Sequence, residues 1–172
     1  MNKKKVEGLP TLQGVASVPF RIMEVQGIEF PVRINHPSDV VEAVKDFRSA
    51  DRECFILLYL NSKNVIIDRE VVSVGTVDAA AVYPREVLRS AIFKNAGSLI
   101  LAHNHPSGDC TPSEADKQIT RDLIAGLLLA QVRVLDHVIF SGNESYSFSD
   151  KGILLEMTQR AEAGLHNFGL LV

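Results

Sequence analysis

A chain of 172 residues, 46% hydrophobic and 23% charged, has the length and make-up of one globular domain with a buried core. Its net charge of −3 excludes a global electrostatic pull toward nucleic acid, and the basic run Lys3-Lys4-Lys5 sits at a terminus. No stretch is apolar for long enough to span a bilayer, no apolar run follows Lys5 as in a secretory leader, and two cysteines without a CxxC spacing argue against a disulfide framework, so a cytoplasmic protein with no membrane partner is expected.

Residues 18–34 read as a β-hairpin, with Phe20, Ile22 and residues 28–34 favouring strand and Gln26-Gly27 able to turn. His36-Pro37 breaks that pattern. Ser38 or Asp39 can then cap a helix carrying Val40, Val41, Val44 and Phe47. Residues 54–60 are apolar at every position, the mark of a strand covered on both faces. Residues 61–64 read as a turn and 65–74 as the returning strand. Pro84 fits the first position of a helix with the stripe Val87, Leu88, Ala91 and Ile92, and Gly97 can stop it. A short buried strand over 98–102 runs straight into His103. A long helix is predicted from Pro112 to about residue 130, striped by Ile119, Leu123, Leu127 and Leu128. A strand over 132–140 follows, then a shorter one at 146–148, and a last helix through Ile153, Leu154 and Met157 that Asp150 can cap. Helices alternating with strands predict an α/β sandwich around a mixed sheet.

The chemistry concentrates in residues 103–116, His-Asn-His-Pro-Ser-Gly-Asp-Cys-Thr-Pro-Ser-Glu-Ala-Asp. In extended backbone His103 and His105 point to the same side, so both imidazoles can reach one ion. Gly108 can take the positive φ that lets the chain turn. Thr111-Pro112-Ser113-Glu114 fits a capping box, which leaves Ser113 and Asp116 on one helical face and makes Asp116 the natural third ligand. Two imidazoles and a carboxylate are the ligand set of a catalytic zinc, with a fourth position open to water. A plainer reading stands beside it. Two surface histidines before a loop need hold nothing, and Ser113-x-x-Asp116 is itself a capping-box spelling. The letters His-Asn-His do not make an HNH nuclease, whose three residues are spread over a hairpin and a helix. Elsewhere, His137 reads as a core histidine or one behind the ligands, with a ligand itself as the alternative, and Asp136 as the end of a strand or a carboxylate that orients a ligand histidine. Cys110 reads as a small loop residue, with a thiolate ligand as the alternative.

His103-x-His105, seven residues, Ser113, two residues and Asp116 resembles the JAMM (MPN+) metallopeptidase motif. Together with Val82-Tyr83-Pro84-Arg85-Glu86-Val87, the run from His103 to Asp109, and Asp136-His137-Val138-Ile139, the text resembles the RadC family of bacterial proteins over roughly residues 38 to 155. The resemblance implies a three-layer α/β/α, cytidine-deaminase-like (JAMM/MPN) fold and one zinc per chain, held by His103, His105 and Asp116. It carries the family's catalytic glutamate, at the start of a buried strand, to Glu53. It carries the serine that helps hold the tetrahedral intermediate to Ser113. From the residues alone Glu53 is equally a surface acid beside Asp51 and Arg52, and Glu70, Asp78 and Glu86 also precede the motif. Cys110 stands where such proteins carry proline. RadC proteins have an N-terminal helix-hairpin-helix-like module, whereas the stretch ahead of the motif here reads as a hairpin.

These readings divide the chain into an N-terminal extension (1–37), a RadC-like domain (38–155) and a C-terminal helix and tail (156–172). The expected function is a zinc-dependent hydrolase acting on a peptide or protein substrate: zinc acidifies a water, Glu53 moves its proton to the leaving amine, and Ser113 donates to the developing oxyanion. The alternative is an accessory or interaction protein without peptidase activity, in line with the family's traditional DNA-repair label. A metal-dependent nuclease would need cations beside the metal, for which Lys117, Arg121 and Arg85 are the candidates. Weak, non-specific binding is the most expected toward DNA.

Overall fold

The computed structural model describes residues 32–75 and 82–170. In chain order these form α1 (Pro37–Ala43), a 3₁₀ turn (Lys45–Phe47), β1 (Cys54–Leu60), β2 (Ile66–Val74), α2 (Pro84–Phe93), β3 (Ser98–Asn104), α3 (Glu114–Leu128), β4 (Arg133–Ser141), β5 (Glu144–Ser147) and α4 (Ile153–Asn167). The predicted hairpin lies outside the described residues except for its end. There Arg33 bridges Val65, and Ile66 N donates to Val32 O at 2.8 Å. Among the described residues no helix is long and apolar enough to cross a membrane.

One mixed sheet has the order β2-β1-β3-β4-β5. β1 is antiparallel to both neighbours, β3 and β4 are parallel with α3 as their crossover, and β4 and β5 form an antiparallel hairpin. The two central strands, β1 and β3, are buried at every position. Their alternation sorts the side chains into two layers. Ile56, Leu58, Leu60, Ile100 and Ala102 pack with Val40, Val41 and Val44 of the α1 side. Phe55, Leu57, Tyr59, Leu99 and Leu101 pack with Val87 and Ala91 of α2 and with Ile119, Leu123 and Leu127 of α3. α4 adds Leu154 and Met157 to a third cluster with Ile124, Ile139 and Phe148. The α/β fold with helices on both faces of a mixed sheet is thus the one expected. Each fully buried large aliphatic or aromatic contributes about 1.5–3 kcal/mol, and the two filled layers fix the central strands in register.

Polar staples complete the packing. The Arg69 guanidinium on β2 pairs with both Asp46 oxygens, at 2.7 and 2.9 Å, and also donates to Ala43 O, a carbonyl left unpaired at the end of α1. On the other face Tyr59 and Ser90 both donate to Glu70 Oε2 at 2.7 Å, tying α2 to β1 and β2.

The helix ends differ from the predicted ones, for local reasons. α1 begins at Pro37, and Asp39 is its third residue. Its carboxylate reaches back to accept from the N–H groups of Asn35 and His36, at 2.8 and 2.9 Å, instead of capping from in front. α2 starts at Pro84 as expected, but the left-handed residue that ends it is Asn95 (φ 53°), not Gly97. α3 starts at Glu114 with Ser113 as its cap, not at Pro112. α4 starts after Gly152 (φ 74°), while Asp150 N is held by Ser147 Oγ in the turn before it.

Candidate metal centre

β3 ends at the edge of the α2–α3 layer, and its alternation places His103 on the same face as Leu99 and Leu101. His105 follows two residues on, with its N–H paired to Phe140 O at 2.9 Å. The next turn contains Gly108 at φ 94°, as expected, and returns the chain to α3, whose first turn holds Asp116. His103 Nε2 and His105 Nε2 approach to 2.9 Å, and the Asp116 carboxylate lies 3.2 Å from the first and 3.7 Å from the second. The three residues form a group able to hold a metal ion. A tetrahedral ion with bonds of about 2.1 Å separates its donors by about 3.4 Å, a spacing that the three contacts straddle. Two imidazole nitrogens this close need a proton or a cation between them, so the donor chemistry fits a bound ion. His103 and Asp116 are buried, and His105 is partly open to solvent, which gives the cluster its accessible side.

The two readings of Ser113-x-x-Asp116 turn out to describe one arrangement. Asp116 Oδ2 accepts from both Ser113 N and Ser113 Oγ at 2.7 Å, and Ser113 Oγ accepts from Asp116 N at 3.1 Å. That is a reciprocal capping box. Thr111, the predicted cap, instead gives its N–H to Asp109 Oδ1 at 2.8 Å. Capping consumes one carboxylate oxygen and leaves Oδ1 facing His103. Burial alone would raise the Asp116 pKa, but the contacts with His103 and Ser113 outweigh it and hold the carboxyl well below its usual range. The carboxylate is therefore ionised, as a ligand must be. The Ser113 proton is spent on that carboxylate in this state.

The surrounding groups fix the rings. His105 Nδ1 lies 2.6 Å from Asp109 O, so it carries the proton and leaves Nε2 a lone pair. His103 stacks on Phe55 at 5.8 Å between centroids, and its Nδ1 meets His137 Nε2 at 2.9 Å. His137 is buried between Phe55 and Phe148, and that burial pushes its pKa well below the usual value. Of the alternatives left open for His137, the place directly behind a candidate ligand is the one it occupies. Asp136 does not orient a ligand. Its carboxylate accepts from Ser147 Oγ, Ser149 N and His137 N, tying β4 to the turn before α4. Cys110 packs in the third core cluster, its Sγ 3.5 Å from Glu144 O, and stands outside the donor group.

Glu53 immediately precedes β1, at the end of the sheet where Phe55 faces His103. With Asp51, Arg52, Gly75, Pro106 and Ser107 it lines a groove of about 430 Å³ beside the His105 turn. Its backbone is held by a residue that the sequence reading passed over. Asn104 Oδ1 accepts from Cys54 N at 2.8 Å, and Asn104 Nδ2 donates to Arg52 O at 2.9 Å, so one buried amide grips the peptide groups on both sides of Glu53. Gly75 N adds a bond to Glu53 O at 2.8 Å. A polar residue at a strand position otherwise facing the core was the available signal for Asn104. Thr120, one turn after Asp116 on the apolar stripe of α3, was the second such residue. It is fully buried and touches both Asp116 O and His137.

A profile of the RadC-like JAB domain matches residues 34–153, a span that contains Glu53 and all of 103–116. The chain belongs to the RadC family. Its RadC relatives include UPF0758 protein YfjY of Escherichia coli (strain K12), 49% identical over 104 residues that make up 60% of this chain and 65% of that protein. UPF0758 protein YeeS of the same strain is 47% identical over 104 residues, 60% of this chain and 70% of that protein. UPF0758 protein VP0184 of Vibrio parahaemolyticus serotype O3:K6 is 50% identical over 105 residues, 61% of this chain and 47% of that protein. The chain thus spans about half to two thirds of the length of these curated RadC relatives, whose names assign no activity.

Proposed function

We propose that this chain is a zinc-dependent hydrolase of the JAMM type, cleaving a peptide or isopeptide bond in a protein substrate. The observation that carries the reading is the convergence of His103 Nε2, His105 Nε2 and the Asp116 carboxylate, with Glu53 in a groove that Pro106 and Ser107 of the turn after His105 also line. Two neutral imidazoles and one carboxylate form a donor set suited to zinc, and three protein ligands leave a position for water.

When bound, zinc supplies the Lewis acidity that brings a water's pKa toward neutrality. The residues of the chain do the rest. Glu53 takes the proton of the attacking water and delivers it to the leaving amine. Asn104 holds the backbone of Glu53 at the height of the histidines. Ser113 keeps Asp116 oriented. In this reading its hydroxyl exchanges the carboxylate for the developing oxyanion as the carbonyl is attacked.

The test is metal content and hydrolysis together. Protein purified without added metal should carry one zinc per chain and cleave isopeptide-linked or peptide substrates. A His103→Ala, His105→Ala double variant should carry none and cleave nothing. Zinc retained undiminished in the double variant would sink the assignment of the centre. A zinc-loaded wild type inert toward every peptide and isopeptide panel would sink the reaction.

A further inference from the structure

The polar groups behind the donors form a chain with a direction. Thr120 Oγ1 lies 2.5 Å from Asp116 O and 2.6 Å from His137 Nδ1, and His137 Nε2 lies 2.9 Å from His103 Nδ1. A carbonyl has no proton to give, and two oxygens at 2.5 Å need one between them, so the single hydroxyl proton of Thr120 points at Asp116 O. The hydroxyl can then only accept from the ring beside it, which puts the proton of that contact on His137 Nδ1. A neutral imidazole protonated at Nδ1 has its lone pair at Nε2, and this accepts from His103 Nδ1–H. His103 is left with its lone pair on Nε2, the atom that faces His105 and Asp116.

We infer that Thr120 and His137 are positioning residues that hold His103 in its one cation-binding tautomer. The direction originates in a helix. Asp116 O is an α3 carbonyl, and a threonine four residues on donates back to it, a local bond common for buried Thr in helices. The backbone of one candidate ligand thereby sets the protonation of another. With the hydroxyl gone, His137 can take its proton on Nε2 and donate to His103 Nδ1. The proton of His103 then moves to Nε2, into the donor position.

The purpose of the device rests on the zinc reading above, but the proton on His103 Nδ1 is set by the Thr120–His137 chain whether a proton or a cation lies between the two Nε2 atoms, so the two can be read separately. The experiment compares wild type, Thr120→Ser and Thr120→Val, the last replacing hydroxyl with methyl at nearly constant shape. Imidazole nitrogen resonances are recorded on metal-free protein above the histidine titration range, and zinc affinity is measured by competition with a chromophoric chelator. Wild type and Thr120→Ser should show His103 protonated at Nδ1 and similar affinity. Thr120→Val should show His103 Nδ1 deprotonated in part and bind zinc about tenfold or more weakly, the usual scale for losing a partner behind a ligand. The inference is overturned if wild-type His103 carries no proton on Nδ1, or if Thr120→Val matches wild type in both Nδ1 protonation and affinity. Wild type that binds no zinc would remove the zinc reading and leave the tautomer measurement to decide the direction of the chain. Should Thr120→Val not fold, the wild-type resonances alone make that decision.

Discussion

At the scale of single residues, Glu53 and Asn104 have separable parts. Glu53→Gln keeps the size and hydrogen-bonding reach of the side chain but cannot take a proton. It should retain zinc and fold while losing about 100-fold or more of any hydrolysis. Metal analysis and turnover on the same preparation check this, and joint loss of zinc and activity would make Glu53 a ligand instead. The Asn104 side chain hydrogen-bonds to none of the three candidate ligands among the described residues, yet it satisfies Cys54 N and Arg52 O. Asn104→Ala leaves both without this partner and Cys54 N buried, so stability should fall by about 1–3 kcal/mol in denaturant titration. Turnover should fall with zinc content unchanged, because the grip on Glu53 is loosened while the donor cluster is not.

At the scale of elements, the α3 N-terminus is capped through the same carboxylate that faces His103. Ser113→Ala removes the hydroxyl cap and one of the two bonds to Asp116 Oδ2, leaving the backbone N–H of residue 113. Thermal or urea unfolding of metal-free protein should show a loss of about 1 kcal/mol, and zinc affinity should fall as well, because Asp116 loses one of the two bonds that aim it. A loss of stability with affinity untouched would confine Ser113 to capping. This same turn marks where the sequence was and was not legible. Strands with two apolar faces, such as 54–60 and 98–102, announced themselves, and so did the start of α2 at Pro84. Helix beginnings were ambiguous, since Thr111-Pro112-Ser113-Glu114 and Ser113-x-x-Asp116 are both valid capping spellings. What chose between them was Asp109, which takes the N–H of Thr111, and His103, which faces the carboxylate across the fold. The proximity of the His103, His105 and Asp116 donors could be anticipated from local spacing. The partners that support them could not, because Thr120 meets His137 across 17 positions and Asn104 meets Cys54 across 50. Pairings of that length depend on strand order, which no periodicity encodes.

At the scale of the whole molecule, charge bears on the alternative role at DNA. Acids outnumber bases, 21 to 18. Many of the cations on helix surfaces are already matched to an acid one turn away, as in Lys45–Glu42, Arg89–Glu86, Lys117–Glu114 and Arg160–Glu156. Duplex affinity requires placed, available Lys or Arg at each phosphate, so binding should be non-specific and no tighter than roughly micromolar at physiological salt. A salt-dependent titration checks this, and nanomolar, sequence-dependent binding would favour the accessory role over hydrolysis. The layout of the centre has a different consequence. His103, His105 and Asp116 belong to one unbroken strand–turn–helix segment, whereas Glu53 lies just ahead of a neighbouring strand, its backbone held by the Asn104 amide and Gly75 N. On the proposed reading, capture of an ion and use of it would then be inherited through different parts of the chain. A descendant that lost reactivity by one substitution near residue 53 would still fold around its metal, so that a scaffold or sensor would lie one mutational step from an enzyme.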